Sequence, residues 1–253
     1  MSEIWRGVRE LVLLGALWGV YSLSRLLAST DLKPALSRAN SVLDVERFFG
    51  LHHELSFNHF TAAHEWLAVA FSYYYAAAHY VVTAAVLILL YTRGRQVYQQ
   101  GRNALVLATV MALAAYITMP TAPPRFVPGY IDVLAENADL GWWGAGHSLP
   151  GEMGRLTNEL AAMPSMHAGW ALWVALAVSL TTRNRLLRSL GWWHAVLTAL
   201  IVIGTGNHWT LDVLAGWAVV GAAWALAVHV NPATEPATST RRTADVAAKS
   251  VAR

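Results

Sequence analysis

In the segment GNHWTLD, residues 206–212, a histidine and an aspartate stand four residues apart, so on a helix His208 and Asp212 share one face and the carboxylate can reach the imidazole. Such a carboxylate fixes the tautomer, leaves the other ring nitrogen free to attack, and stabilises the charge that develops on the ring. A second group stands in AAMPSMHAGWALW, where Pro164, Ser165 and His167 open an otherwise apolar run. Serine is a good N-cap, and the N–H groups beyond it favour an anion; this helix mouth reads as a phosphate seat with His167 in its first turn. A third is PTAPPRF, residues 120–126, where Pro120, Pro123 and Pro124 restrain the backbone that delivers Arg125. Its guanidinium is a permanently charged, planar donor fork suited to phosphate oxygens. Phosphoester cleavage is among the slowest uncatalysed reactions, with enzymatic accelerations reaching ~10²¹, so it wants a nucleophile, an acid and a charge clamp. His208, His167 and Arg125 can fill these roles without a metal, and no cofactor is expected. Each motif alone also has a plainer reading, as a chance pair, a helix cap or an interfacial anchor. Their order and shared location carry the joint reading.

The elements that must position these residues are membrane helices. Of 253 residues, 56% are hydrophobic and 13% charged, against roughly 25% charged in soluble domains. The formal charge of +3 comes from short basic clusters rather than a continuous stripe, so nucleic acid is not expected as a partner. There is no cysteine, which excludes disulfides, thiolate metal sites and cysteine nucleophiles. Six segments of suitable length and apolarity run approximately over 8–28, 65–92, 103–119, 164–182, 190–206 and 210–229. The first is short enough to resemble a signal-peptide core, but Glu3 and Glu10 dilute its basic flank and no A-x-A site follows, so a retained helix is expected. Segment 31–60 mixes apolar and charged residues at helical spacing and reads as an interfacial helix after the first span. The fold class expected is therefore an all-α, six-transmembrane-helix bundle forming one domain over 1–230, followed by a disordered cytoplasmic tail at 231–253.

Basic clusters at Arg93, Arg95 and Arg102, and at Arg183, Arg185 and Arg188, place two loops in the cytoplasm by the positive-inside rule. The same parity puts both termini inside and the acidic 120–163 loop outside, so all three motifs meet on the extracytoplasmic face. The plasma membrane is the expected location.

With these motifs the chain resembles the type 2 phosphatidic acid phosphatase superfamily, over roughly residues 60–229. The resemblance implies that His208 attacks phosphorus to form a phosphohistidine, Asp212 orients it and His167 protonates the leaving group, while Arg125 and Ser165 are expected from their own chemistry to bind the phosphate. It also implies a six-helix core and no metal requirement. Two departures stand out: Thr118 occupies the usual lysine position and Phe126 replaces a proline, while Ile201 and Val202 stand where the third motif normally carries Ser-Arg. The APPRF and GNHW forms are more similar to the branch containing inositol phosphorylceramide synthase. With fewer cations, a phosphodiester suits the site better than a phosphomonoester. The expected function is a metal-independent lipid phosphatase or head-group phosphotransferase whose partners are a lipid-phosphate substrate and the membrane. The rival is a lipid-binding or transport protein, which would not need a carboxylate four residues from a histidine.

Other residues have plainer roles. His52, His53, His59, His64 and Glu65 lack a metal-site spacing and suit an interfacial segment. His79, within the second span, is expected to make an interhelical hydrogen bond. The tryptophans read mostly as interfacial anchors. The GTG at 204–206 is not a nucleotide loop.

Overall fold

The computed structural model describes residues 31–143 and 159–230, together with 5, 7–10, 12, 13, 15 and 19. Most of the expected first span and the whole 231–253 tail lie outside these residues. Among the described residues the architecture is helical: α1 (Leu32–Phe48), α2 (Glu54–Ala63), α3 (Glu65–Thr92), α4 (Arg95–Thr118), α5 (Met166–Thr181), α6 (Arg185–Gly204) and α7 (Thr210–Val230), with three single-turn pieces between α4 and α5. Helices α3, α4, α6 and α7 are long and apolar enough to cross a membrane, which marks an integral membrane protein. Helix α5 is equally apolar but has 16 residues, about 24 Å against a hydrocarbon core of about 30 Å. The expected 65–92 span forms as one unbroken helix, and α4 and α6 start several residues earlier than the apolar pattern suggested, so Arg95, Arg102, Arg185 and Arg188 lie within helices. Asn184 explains the start of α6: its side chain accepts the N–H groups of Leu186 and Leu187.

Helix α5 runs through the middle of the bundle and packs on α3, α4, α6 and α7. Small residues make the close approach possible. Ala104 and Ala108 of α4, Ala177 of α5, and Ala223 and Ala227 of α7 join the larger Leu90, Trp173 and Val220 in one buried cluster. Because α4 and α6 run towards the end of the bundle from which α5 and α7 start, the three motif segments lie together at that end.

Segment 31–60 forms two helices instead of one. Helix α1 buries Ala35, Ala39, Val42 and Glu46, and α2 buries Glu54, Asn58 and Thr61, a polar stripe at helical spacing. Both lie against the motif-bearing end. Ala35 accepts the N–H of Ala122 at 3.2 Å, and Arg38 donates to the carbonyl of Pro120 at 2.8 Å.

Candidate active site

Three irregular segments supply the site, and their backbone groups must be satisfied inside the protein because lipid cannot do so. Thr121 and Ala161 form a parallel bridge, with Thr121 N–H donating to Leu160 and Ala162 N–H donating back to Thr121. The Tyr116 hydroxyl, from the last turn of α4, donates to the Pro164 carbonyl at 2.6 Å. Ser165 N–H donates to the Asp212 carbonyl at 2.8 Å, while the fully buried Ser165 side chain accepts the N–H of Ala168 as N-cap of α5. The first and second motifs are thus zipped together, and the second is docked on the third.

That docking requires Gly216. A Cβ there would lie 2.1 Å from the Ser165 carbonyl oxygen. In the third motif the chain leaves α6 through Gly204 and Gly206. Gly206 has φ +74°, and a Cβ on it would meet the Ile131 carbonyl at 2.8 Å. The GTG is thus a tight turn under close packing.

His208 follows this turn. Its Nδ1 lies 2.9 Å from the Ala162 carbonyl oxygen and 3.5 Å from Asp212 Oδ2. A carbonyl only accepts, so this contact places the proton on Nδ1 and leaves Nε2 as the basic nitrogen. Asp212 does lie beside the ring, but its Oδ2 also accepts the Trp209 N–H at 2.9 Å, and its Oδ1 is buried without a hydrogen-bond partner among the described residues. Burial pushes the His208 pKa down to about 3, with the nearby Arg125 adding to the shift and the Ala162 bond opposing it. The ring is therefore neutral at physiological pH.

His167 lies with its ring centroid 5.7 Å from that of His208. It stacks on Tyr75 at 4.3 Å and meets His79 edge-on at 4.2 Å. Its Nε2 is buried with no hydrogen-bond partner among the described residues. His79 differs from its expected interhelical hydrogen bond: Nδ1 bonds the Tyr75 carbonyl of its own helix, and its contacts across helices are ring to ring. Arg125 sits in a single 3₁₀ turn, Pro124–Phe126, anchored by its N–H to the Gly206 carbonyl at 2.9 Å. Its Nη1 donates to Asn207 Oδ1, and its Nε is 3.4 Å from Asp132 Oδ2. The five expected site residues are all drawn to one end of the bundle.

Several contributors were not found by sequence reasoning. Asn207 orients Arg125. Trp209 is fully buried and donates to the Ala122 carbonyl at 3.0 Å, tying the third motif to the first. With Trp143 and Trp173, which bond the carbonyls of Leu134 and Gly101, it departs from the expected interfacial role of tryptophan. Asn58 bridges the carbonyls of Ile131 and Gly204 and accepts the Ile131 N–H. Glu54 and Glu46 accept the N–H groups of Thr210 (3.1 Å) and Leu211 (2.7 Å). The usable signal was Glu54, Asn58 and Thr61 at i, i+4 and i+7, a polar stripe where a packed helix would bury apolar residues. Among the described residues no three histidine or acidic side chains converge on a common metal position.

The family model described as PAP2 superfamily matches residues 40–226. The match takes in the second half of α1 and all of α2 as well as the three motifs. Neither a curated protein nor a solved structure matches the chain.

Proposed function

Since the chain belongs to the PAP2 superfamily, whose members are phosphatases and phosphotransferases, we propose that it moves or hydrolyses the phosphate-bearing head group of a membrane lipid through a covalent intermediate on His208. The observation that carries this reading is the neutral His208 ring held by Ala162, with His167 5.7 Å away across the site. A phosphorus about 3–3.5 Å from His208 Nε2 puts its leaving oxygen within reach of His167.

In the first step the Nε2–P bond forms and the bond from phosphorus to the lipid oxygen breaks. That oxygen takes its proton from His167, which acts as the imidazolium, a cation stabilised by the bound anionic phosphate, and whose orphaned Nε2 gains the partner it lacks. In the second step water or a lipid hydroxyl attacks phosphorus, gives its proton to His167, and His208 is released. Arg125 and the N–H groups at the mouth of α5 stabilise the equatorial oxygens. Asp212 steadies the charge on His208 by proximity, while Ala162 fixes the tautomer. The two missing cations of the first and third motifs favour a singly charged phosphodiester donor, as in phosphoinositol transfer. The basic clusters at Arg93 to Arg102 and Arg183 to Arg188, read by the positive-inside rule, support an extracytoplasmic reaction. Exposed Phe48, Phe49, Phe60 and Trp66 on and beside α1 and α2 suit the bilayer interface.

The test is to incubate the full-length protein in detergent with phosphatidylinositol or phosphatidic acid labelled at phosphorus, with a chelator present, and to quench in alkali. Label bound to His208, absent in H208A, is the expected result. Lipid binding without bound label or released product would favour the transport reading, and full turnover by H208A would remove the nucleophile.

A further inference from the structure

The nucleophile sits directly before α7, and the start of this helix is unusually acidic. A helix leaves its first N–H groups without intrahelical partners, and here each of three consecutive donors meets a different carboxyl group. Trp209 N–H goes to Asp212, Thr210 N–H to Glu54 of α2, and Leu211 N–H to Glu46 of α1. Glu46 and Glu54 are 0% and 1% exposed, and each uses only Oε1 in these bonds. Both Oε2 atoms are buried with no hydrogen-bond partner among the described residues. An unpaired buried carboxylate oxygen is costly, and two facing carboxylates more so. One proton between them removes a charge and supplies the missing donor.

We propose that Glu46 and Glu54 form a carboxyl pair sharing one proton, which clamps the start of α7 and thereby positions His208 for attack. The two are positioning residues, acting on the phosphoryl-transfer reaction proposed above through the helix they hold. The groups facing Glu46 agree. From α2 comes Glu54, from α7 Asp212, and from the loop before the Val133–Glu136 turn Tyr130; Arg47 of α1 is the cation acting on Tyr130, and Arg125 acts on His208. Burial, with Glu54 and Asp212 nearby, pushes Glu46 up to about 8, against the lowering effect of the Leu211 bond. Burial, with Glu54 and Glu46 nearby, pushes the Tyr130 hydroxyl up. Loss of the shared proton at alkaline pH leaves two facing anions. The clamp then loosens, and His208 drifts from Ala162.

Two variants and one spectrum test this in the full-length protein in lipid nanodiscs, with head-group-labelled phosphatidylinositol as the probe. E46A removes the Leu211 acceptor and is expected to lower kcat by about ten- to a hundredfold with KM within about twofold. E46Q keeps an acceptor for Leu211 and offers Glu54 a permanent donor. It should be less impaired than E46A, and the wild-type fall in kcat above pH 8 should vanish. Independently of turnover, the infrared spectrum at pH 7 should show a protonated carboxylic acid band that fades above about pH 8 and is missing in E46Q. The proposal is overturned if that band persists in E46Q, if E46A matches wild type, or if E46A and E46Q are equally impaired with the alkaline limb intact. Should E46A fail to fold, E46Q and the band still decide. A wild-type protein inactive on the probe but showing the band would refute the proposed reaction and leave the shared proton standing.

Discussion

Replacing Gly216 by alanine should separate the two histidines without touching either. Gly216 lies one turn after Asp212 on α7, and its missing side chain admits the Ser165 backbone. A Cβ there would fall 2.1 Å from the Ser165 oxygen and 3.0 Å from its carbonyl carbon, whereas ordinary contact begins at 3.4 Å. The segment must therefore retreat by 3.4 − 2.1 = 1.3 Å. Both partners are backbone, so no side-chain rotation relieves the clash. The retreat strains the 2.8 Å bond from Ser165 to Asp212 and carries His167, two residues on, away from His208. Overpacking costs about 1–3 kcal/mol, and the weakened hydrogen bond adds about 1 kcal/mol. A misplacement of about 1 Å costs about 10²-fold in rate. Other glycines grade the effect. At Gly169 a Cβ meets Val220 and the Gly216 oxygen at 3.1 and 3.2 Å, which requires a shift of a few tenths of an ångström, and at Gly221 it meets nothing within 4 Å. Turnover of head-group-labelled phospholipid, with thermal unfolding in the same detergent, should rank the proteins G221A as wild type, G169A intermediate and G216A about a hundredfold slow. If G216A turned over and melted like G221A, the close approach of α5 to α7 would not be what sets the histidine geometry.

The pH dependence of stability follows from two buried groups with opposite signs. His208 is depressed to about 3, so the folded state binds fewer protons than the unfolded state between about pH 6.5 and 3; its contribution is present above 6.5 and is lost as pH falls through that window. Glu46 is raised to about 8, so its contribution is present below about pH 4.5 and is lost as pH rises towards 8. Denaturation midpoints in detergent should therefore be highest between about pH 4.5 and 6.5, where the two slopes cancel, and H208N should flatten the acid side; a wild-type midpoint that does not fall between about pH 4.5 and 3 would contradict the burial of a neutral His208. Asp132 tempers Arg125 from 3.4 Å while its other oxygen caps Ala135, so D132N keeps the cap and removes the charge. Because Asp132 is partly exposed, the gain is about 1 kcal/mol, and kcat/KM for a phosphomonoester should rise about fivefold relative to a phosphodiester. An unchanged ratio would mean that Arg125 does not discriminate by charge.

The sequence showed chemistry and periodicity, and hid whatever depends on backbone carbonyls and on packing between distant segments. His208, His167, Asp212, Arg125 and Ser165 were legible as candidates because three motifs, each ambiguous alone, fell in an order that brings them to one end of the bundle, and α3 to α7 because apolar runs of that length have few alternatives. That His208 bonds Ala162 could not be read, since every residue carries the same carbonyl. Trp209 looked like any interfacial tryptophan until the first motif was seen packed over it. Glu46 and Glu54 were misleading: charged residues in an amphipathic segment ordinarily face headgroups, and only the orphan N–H groups of α7 explain their burial. Gly216 stood in an apolar helix where small residues are common, and nothing local distinguishes a glycine that admits a backbone from one that faces open space.

On the proposed reading, the charges around the site bear on which phosphate it accepts. Arg125 is already shared with Asp132 and Asn207, His208 is neutral, and Asp212, Glu54 and Glu46 stand behind the start of α7. Such a site holds an anion chiefly by directed N–H donors at the mouth of α5, because little net positive charge is left to attract it. Directed donors suit a singly charged phosphodiester, whose hydrogen bonds survive at low net charge. A dianion brings a second charge that these carboxyls repel. The shared proton then bears on selectivity as well as on position: removing it adds one more negative charge behind His208. This would weaken a dianion more than a monoanion, so raising the pH should sharpen the preference for a diester even as it slows the reaction.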